Sequence, residues 1–177
     1  MNIFFLHLIP EICAKMHLDK HVIKMILESA QLLSSAHYMT GCTKYTPKYK
    51  LTHYKHPSSI WTRESIENYK WLSNLSLELC KEYNYRYGKI HKSQCELELL
   101  ALYIPDLPIL PFTPPLQAMP IIYKSADFNQ KDRSIDNTIE AYRAYYFFEK
   151  TKILSWKGKY NGREIPDWII EMKLMFE

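Results

Sequence analysis

Two stretches of the chain, from Pro10 to Gly41 and from Pro57 to Gly88, contain neither glycine nor proline between those bounds. Runs of that length suit long helices, because short strands need frequent turns and turns draw on glycine, proline and asparagine. With only 4 glycines in 177 residues, few such turns are available. The sequence therefore reads as mainly α: a single-domain helical bundle over residues 1–177, with two long central helices and a proline-rich strap. Hydrophobic residues make up 47% of the chain, enough to fill one core without metal or disulfide staples.

Local signals set the expected boundaries. Met1 to Ile9 reads as a first core strand or extended segment, and Pro10 opens a helical turn through Lys15. The first long helix spans about Leu18 to Tyr38 and ends at Thr40-Gly41. Cys42 to Pro57 is a basic loop. Ser58 or Ser59 caps the second long helix, Ile60 to Tyr87, and Gly88 stands where a helix-ending glycine belongs. A third helix covers Lys92 to Leu102. Six prolines between Pro105 and Pro120 then impose an extended strap, whose apolar residues hold it to the body. Ser134 or Asp136 caps a helix from Asn137 to Trp156, and Pro166 to Phe176 forms a short amphipathic helix or turn.

Cys13, Cys42, Cys80 and Cys95 show no C-x-x-C spacing, which fits neither a zinc knuckle nor a secreted disulfide framework. Reduced thiols in a cytoplasmic or nuclear compartment are expected. The apolar N-terminal stretch is too short to span a membrane and has no basic leader, so neither a membrane nor a signal peptide is expected. A net charge of +4, with 18 Lys against 5 Arg, is mildly basic and compatible with nucleic-acid contact or with an ordinary surface.

One band of the first long helix carries the chemistry. At about 100° per residue, His17, His21, Lys24, Glu28 and Gln31 fall on a single polar stripe, while Val22, Ile23, Met25, Ile26, Leu27, Ala30, Leu32 and Leu33 cover the other directions. The stripe is either a solvated edge with an ordinary Lys24–Glu28 pair or the floor of a pocket. In a pocket, desolvation turns Lys24 into a nucleophile while Glu28 moves protons. His17 and His21 stand at a spacing that also suits a divalent metal, but no H-E-x-x-H motif is present, and neither metal nor cofactor is expected.

Other clusters offer substrate contacts. His56 and Arg63 flank Trp61 beside the basic loop, and Arg86, Lys89 and His91 interleave with Tyr83, Tyr85 and Tyr87 in the manner of a single-strand grip. The same letters suit a helix end, where cations complement the dipole. Arg143 and Lys150 project at related angles from an aromatic helix face and reach a phosphate if that face seats the helix beside the first long one.

The residues Asp19-Lys20-His21-Val22 with Lys24, Glu28 and Gln31, then His56-Pro57, Glu82-Tyr83, Tyr85 to Lys89, Phe112 to Pro115, Gln117 to Pro120 and Ala141-Tyr142-Arg143 together resemble a family of proteins encoded by bacteriophages and large DNA viruses. Ala14 to Lys24 and the helix Glu67 to Tyr87 also resemble the main helices of the phage pyrimidine-dimer DNA glycosylases, the endonuclease V family. That likeness implies an all-α enzyme of DNA repair that cleaves the glycosidic bond of a flipped nucleotide. In that family the amine at the mature N-terminus forms a Schiff base and a carboxylate on the first long helix assists. Here Asn2 disfavours removal of Met1, and Lys24 stands where that carboxylate belongs. The likeness therefore implies Lys24 or Lys20 as the amine, Glu28 as the carboxylate, and His17 or His21 orienting the phosphate or sugar. The expected function is a nucleic-acid- or nucleotide-directed hydrolase cleaving an N-glycosidic bond, with Lys20, Gln31, His56, Arg63, Arg86, Lys89, His91 and Arg143 contacting substrate. The alternative is a non-catalytic binding module for nucleic acid or protein.

Overall fold

A computed structural model describes residues 1–176 of the chain. Seven α-helices follow one another, and no strand occurs among the described residues: α1 (Pro10–Met16), α2 (Asp19–Thr40), α3 (Pro57–Glu64), α4 (Ile66–Tyr87), α5 (Gln94–Leu102), α6 (Ile135–Lys150) and α7 (Asp167–Phe176). The long helices α2 and α4 pack along each other, with α1 and α5 against α4. The bundle is thus mainly α with two long central helices. No described helix is long and apolar enough to cross a membrane.

Both long helices end on glycines in the left-handed conformation, Gly41 at φ 65° and Gly88 at φ 62°. A side chain there costs more than glycine because Cβ crowds the backbone. The expected single helix from Ile60 to Tyr87 is instead two. Ser65 is extended, at φ −150° and ψ 156°, and its hydroxyl accepts the Asn68 amide at 3.1 Å, capping α4. The Ile66 amide turns outward to the Pro108 carbonyl of the strap. The break therefore lies where the strap crosses, and His56, not Ser58 or Ser59, caps α3 through its ring nitrogen. Helix α6 also stops earlier than expected, passing into a short 3₁₀ turn at Thr151–Ile153, and Ser134 caps it.

The strap lies against the body as expected. Trp61 Nε1 donates to the Thr113 carbonyl at 2.9 Å, and buried Asn68 bonds both the amide and the hydroxyl of Thr113. Residues 1–9 form an extended segment, not a strand. Having no strand partner, its main chain is satisfied by side chains: Trp71 Nε1 donates to the Leu8 carbonyl, Arg143 Nε to the Leu6 carbonyl, and the Cys13 thiol to the Phe4 carbonyl. Ile3 to Leu6 are buried, and Phe4 lies among His21, Tyr142, Tyr145 and Tyr146. This segment brings the first residues of the chain over the face of α2 that carries the polar stripe.

Candidate active site

A cavity of about 210 Å³ opens between the start of the chain, α2, the strap and α6. Its floor is Glu28, whose residue is only 8% exposed. One carboxylate oxygen, Oε2, accepts the Asn2 amide at 2.8 Å and lies 3.9 Å from the Met1 amine; the other, Oε1, lies 3.5 Å from Lys24 Nζ. Lys24 itself is two-thirds exposed, so the desolvation expected to make it a nucleophile is not found: its amine stands at the opening of the cavity, in water, and pairs with Glu28. His21, Tyr145 and Lys150 complete the wall, with Ala118 from the strap. Lys150 sits over the Tyr145 ring at 4.9 Å, a cation–π contact that fixes its ammonium toward the cavity side of α6. Three cations thus line a cavity that holds one carboxylate, and the surplus positive charge favours an anionic ligand.

His21 stacks on Phe4 at 4.4 Å between centroids and meets the edge of Tyr146. Its Nδ1 is buried without a partner. Burial, reinforced by His17, Lys150 and Lys24, pushes its pKa down to about 3, so the ring is neutral and can donate or accept a hydrogen bond without carrying charge. His56 lies within electrostatic reach of both the Met1 amine and Glu28; burial first, then that amine, lowers its pKa.

The stripe is therefore a pocket floor only in part. His17 is fully buried, its Nδ1 held at 2.7 Å to the Cys13 carbonyl, and it ends α1, one residue short of the cap of α2. The expectation that it contacts substrate is corrected: it is a core residue. Burial pushes its pKa to about 4. Gln31 is half-buried and lines no part of the cavity, and exposed Lys20 likewise stands outside its wall.

Arg86 is the largest correction. Its guanidinium has no exposure at all; Nε donates to Glu82 at 3.0 Å, Nη1 to Asp19 and the His17 carbonyl, and Nη2 to the Lys15 carbonyl. It has no surface with which to meet a phosphate. Arg143 is similarly occupied by the Leu6 carbonyl and the Trp168 ring, and it positions the N-terminal segment. Arg63 donates to Ser59, while Lys89 and His91 follow the end of α4; none of the three lines the cavity. Among the described residues no three metal-ligating side chains converge.

Asn2, Tyr145 and the Met1 amine escape sequence reasoning because nothing in the letters tells that the chain start folds back over α2. Lys150 was within reach of it, since Tyr146 on the aromatic face of α6 does meet His21 of α2. No family model, curated protein or solved structure matches the chain.

Three histidines are buried, His17, His21 and His37, and the first two make stability depend most strongly on acid. Both pKa values are depressed below the ordinary 6.5, so the unfolded chain takes up protons first as pH falls. Stability is full above about pH 6.5 and declines below it by about 1.4 kcal/mol per pH unit for each ring, until the folded values of about 3 and 4 are reached. Urea unfolding between pH 7 and 4 is expected to show a decline of this sign, and His21→Phe to make it shallower, with His17, His37, His56 and His91, whose pKa values burial also lowers, supplying the remainder. An unchanged slope in His21→Phe refutes the assignment.

Proposed function

We propose that the protein is an enzyme acting on nucleic acid or a nucleotide, cleaving an N-glycosidic bond by attack of an amine. The observation that carries this reading is the buried Glu28 carboxylate set between two primary amines, Lys24 Nζ and the Met1 amine, in a cavity with surplus positive charge. A carboxylate that only decorated a binding surface would stand in water; this one is 8% exposed.

Lys24 supplies the nucleophile. Its ammonium first gives a proton to solvent, and the freed lone pair forms a bond to the anomeric carbon as the carbon–base bond breaks, the electron pair leaving with the base, which takes a proton from solvent. Glu28 then removes a proton from the new C–N nitrogen and returns it to the ring oxygen as the sugar ring opens, leaving an iminium. Lys150 and His21 hold the adjoining phosphate or sugar, one by charge and one as a neutral hydrogen-bonding ring.

Borohydride delivers hydride to such an iminium and makes a stable secondary amine. Incubation of the protein with borohydride and a panel of damaged, modified and abasic oligonucleotides is expected to give a covalent adduct that is lost in Lys24→Ala. An adduct that survives in Lys24→Ala and maps to the first peptide moves the nucleophile to the Met1 amine. The absence of any adduct across the panel removes the mechanism.

A further inference from the structure

On the other flank of the strap lies a second cavity, of about 380 Å³, between the α3–α4 break, strap residues Leu110 to Leu116 and the loop before α6. Its size falls within the range of roughly 300–1,000 Å³ of small-molecule sites. One wall is apolar, built from Leu110, Pro111 and Leu116; the opposite wall carries Asn129, Gln130, Lys131 and Arg133.

Arg133 is the residue that demands an explanation. It is 94% buried by its 6% exposure, yet it forms no ion pair among the described residues. Nη1 donates to the Gln130 carbonyl at 3.1 Å, Nη2 donates to the Pro114 carbonyl, and Nε has no partner. Arg86 offers the comparison, since that fully buried guanidinium meets two carboxylates. Buried charges are ordinarily paired, because removing an ion from water costs several kcal/mol unless a counter-charge offsets it. The acidic groups nearest Arg133 do not serve. Asp127 is engaged by Ser125, the Ser134 amide and Asn137, and Glu64 lies on the exposed rim without bonding the guanidinium.

We propose that this cavity binds a small organic anion, whose oxyanion group neutralises Arg133 and Lys131 and whose apolar body lies on Leu110, Pro111 and Leu116. Glu64, the one carboxylate on the wall, opposes two cations, so the site is net positive. The exposed Asn129 and Gln130 side chains make no bonds within the described chain and are free to meet polar groups of the ligand. Phosphate and carboxylate heads share this chemistry. The site is separate from the α2 cavity and does not depend on the glycosidic reading.

Isothermal titration of the full chain with phenyl phosphate and with benzoate tests the proposal, with benzyl alcohol as the neutral control. At least one anion is expected to bind and the alcohol not; the stronger of the two identifies the head group. Arg133→Gln is expected to abolish binding. Because Arg133 also ties down the strap, exposed Lys131→Glu serves as the second variant, expected to keep its fold by circular dichroism and to weaken the anion about fivefold or more. Lys24→Ala is expected to bind as the unaltered protein does. No binding by either anion, equal binding of benzyl alcohol, indifference to Lys131→Glu, or loss of binding in Lys24→Ala each overturns the proposal.

Discussion

Glu28→Gln is expected to slow formation of the borohydride-trapped adduct by about 10²- to 10⁴-fold while leaving oligonucleotide affinity nearly unchanged. Glutamine keeps the shape of the side chain, and its amide oxygen still accepts the Asn2 amide that Glu28 Oε2 accepts at 2.8 Å. What it loses is the ability to carry a proton from nitrogen to ring oxygen. It also loses the negative charge beside two amines, so an anionic substrate binds as well or somewhat better. Single-turnover trapping kinetics together with fluorescence anisotropy separate these effects. If the trapping rate stays within about threefold, the carboxylate is an anchor for the chain start and not a proton carrier.

Arg86→Met is expected to cost about 3–5 kcal/mol of stability, a large share of the roughly 5–15 kcal/mol that holds a domain together. Methionine fills much of the space but leaves the carbonyls of Lys15 and His17 without their donors. Glu82 retains Arg163, whose Nη2 reaches it at 2.6 Å, and Asp19 retains Ser155 and the Gly158 amide. The network is thus damaged without being emptied, which places the variant inside a measurable range. Arg86→Lys is expected to recover little, since one ammonium cannot bridge three separate directions as the planar fork does. Urea midpoints at constant slope give the values. A loss below about 1 kcal/mol would return Arg86 to the pool of candidate substrate contacts.

Arg86 also shows where the letters mislead. Cations alternating with tyrosines at the end of α4 read equally as a single-strand grip and as a helix end, and only the meeting of α4 with the α1–α2 junction decides that the guanidinium turns inward. The same junction explains His17. A helical wheel carried back from His21 puts it on the stripe, but the chain leaves the helix at Leu18, so the periodicity is extrapolated past the element that generates it. Conversely, Lys24, Glu28 and His21 lie within α2 itself, where about 100° per residue holds, and they do converge. The ends at Gly41 and Gly88 were legible because the left-handed conformation selects glycine. The break at Ser65 was not, because Trp61, Tyr69 and Leu72 keep helical spacing across it and the partner that takes the Ile66 amide, Pro108, is distant in sequence.

The extended N-terminal segment has a bearing on the order of events as the chain folds. Asn2 bonds the Ala118 carbonyl and Tyr142, and Leu6 is held by Arg143, contacts that span 116, 140 and 137 residues. Helices α1 to α5 can collapse on local contacts early, whereas closing loops of this length waits until the strap and α6 exist and dock. The α2 cavity therefore takes shape late, after the helices that carry its floor. A nascent chain released before α6 carries Lys24 and Glu28 on an open helix face, with no vestibule to concentrate a substrate against them.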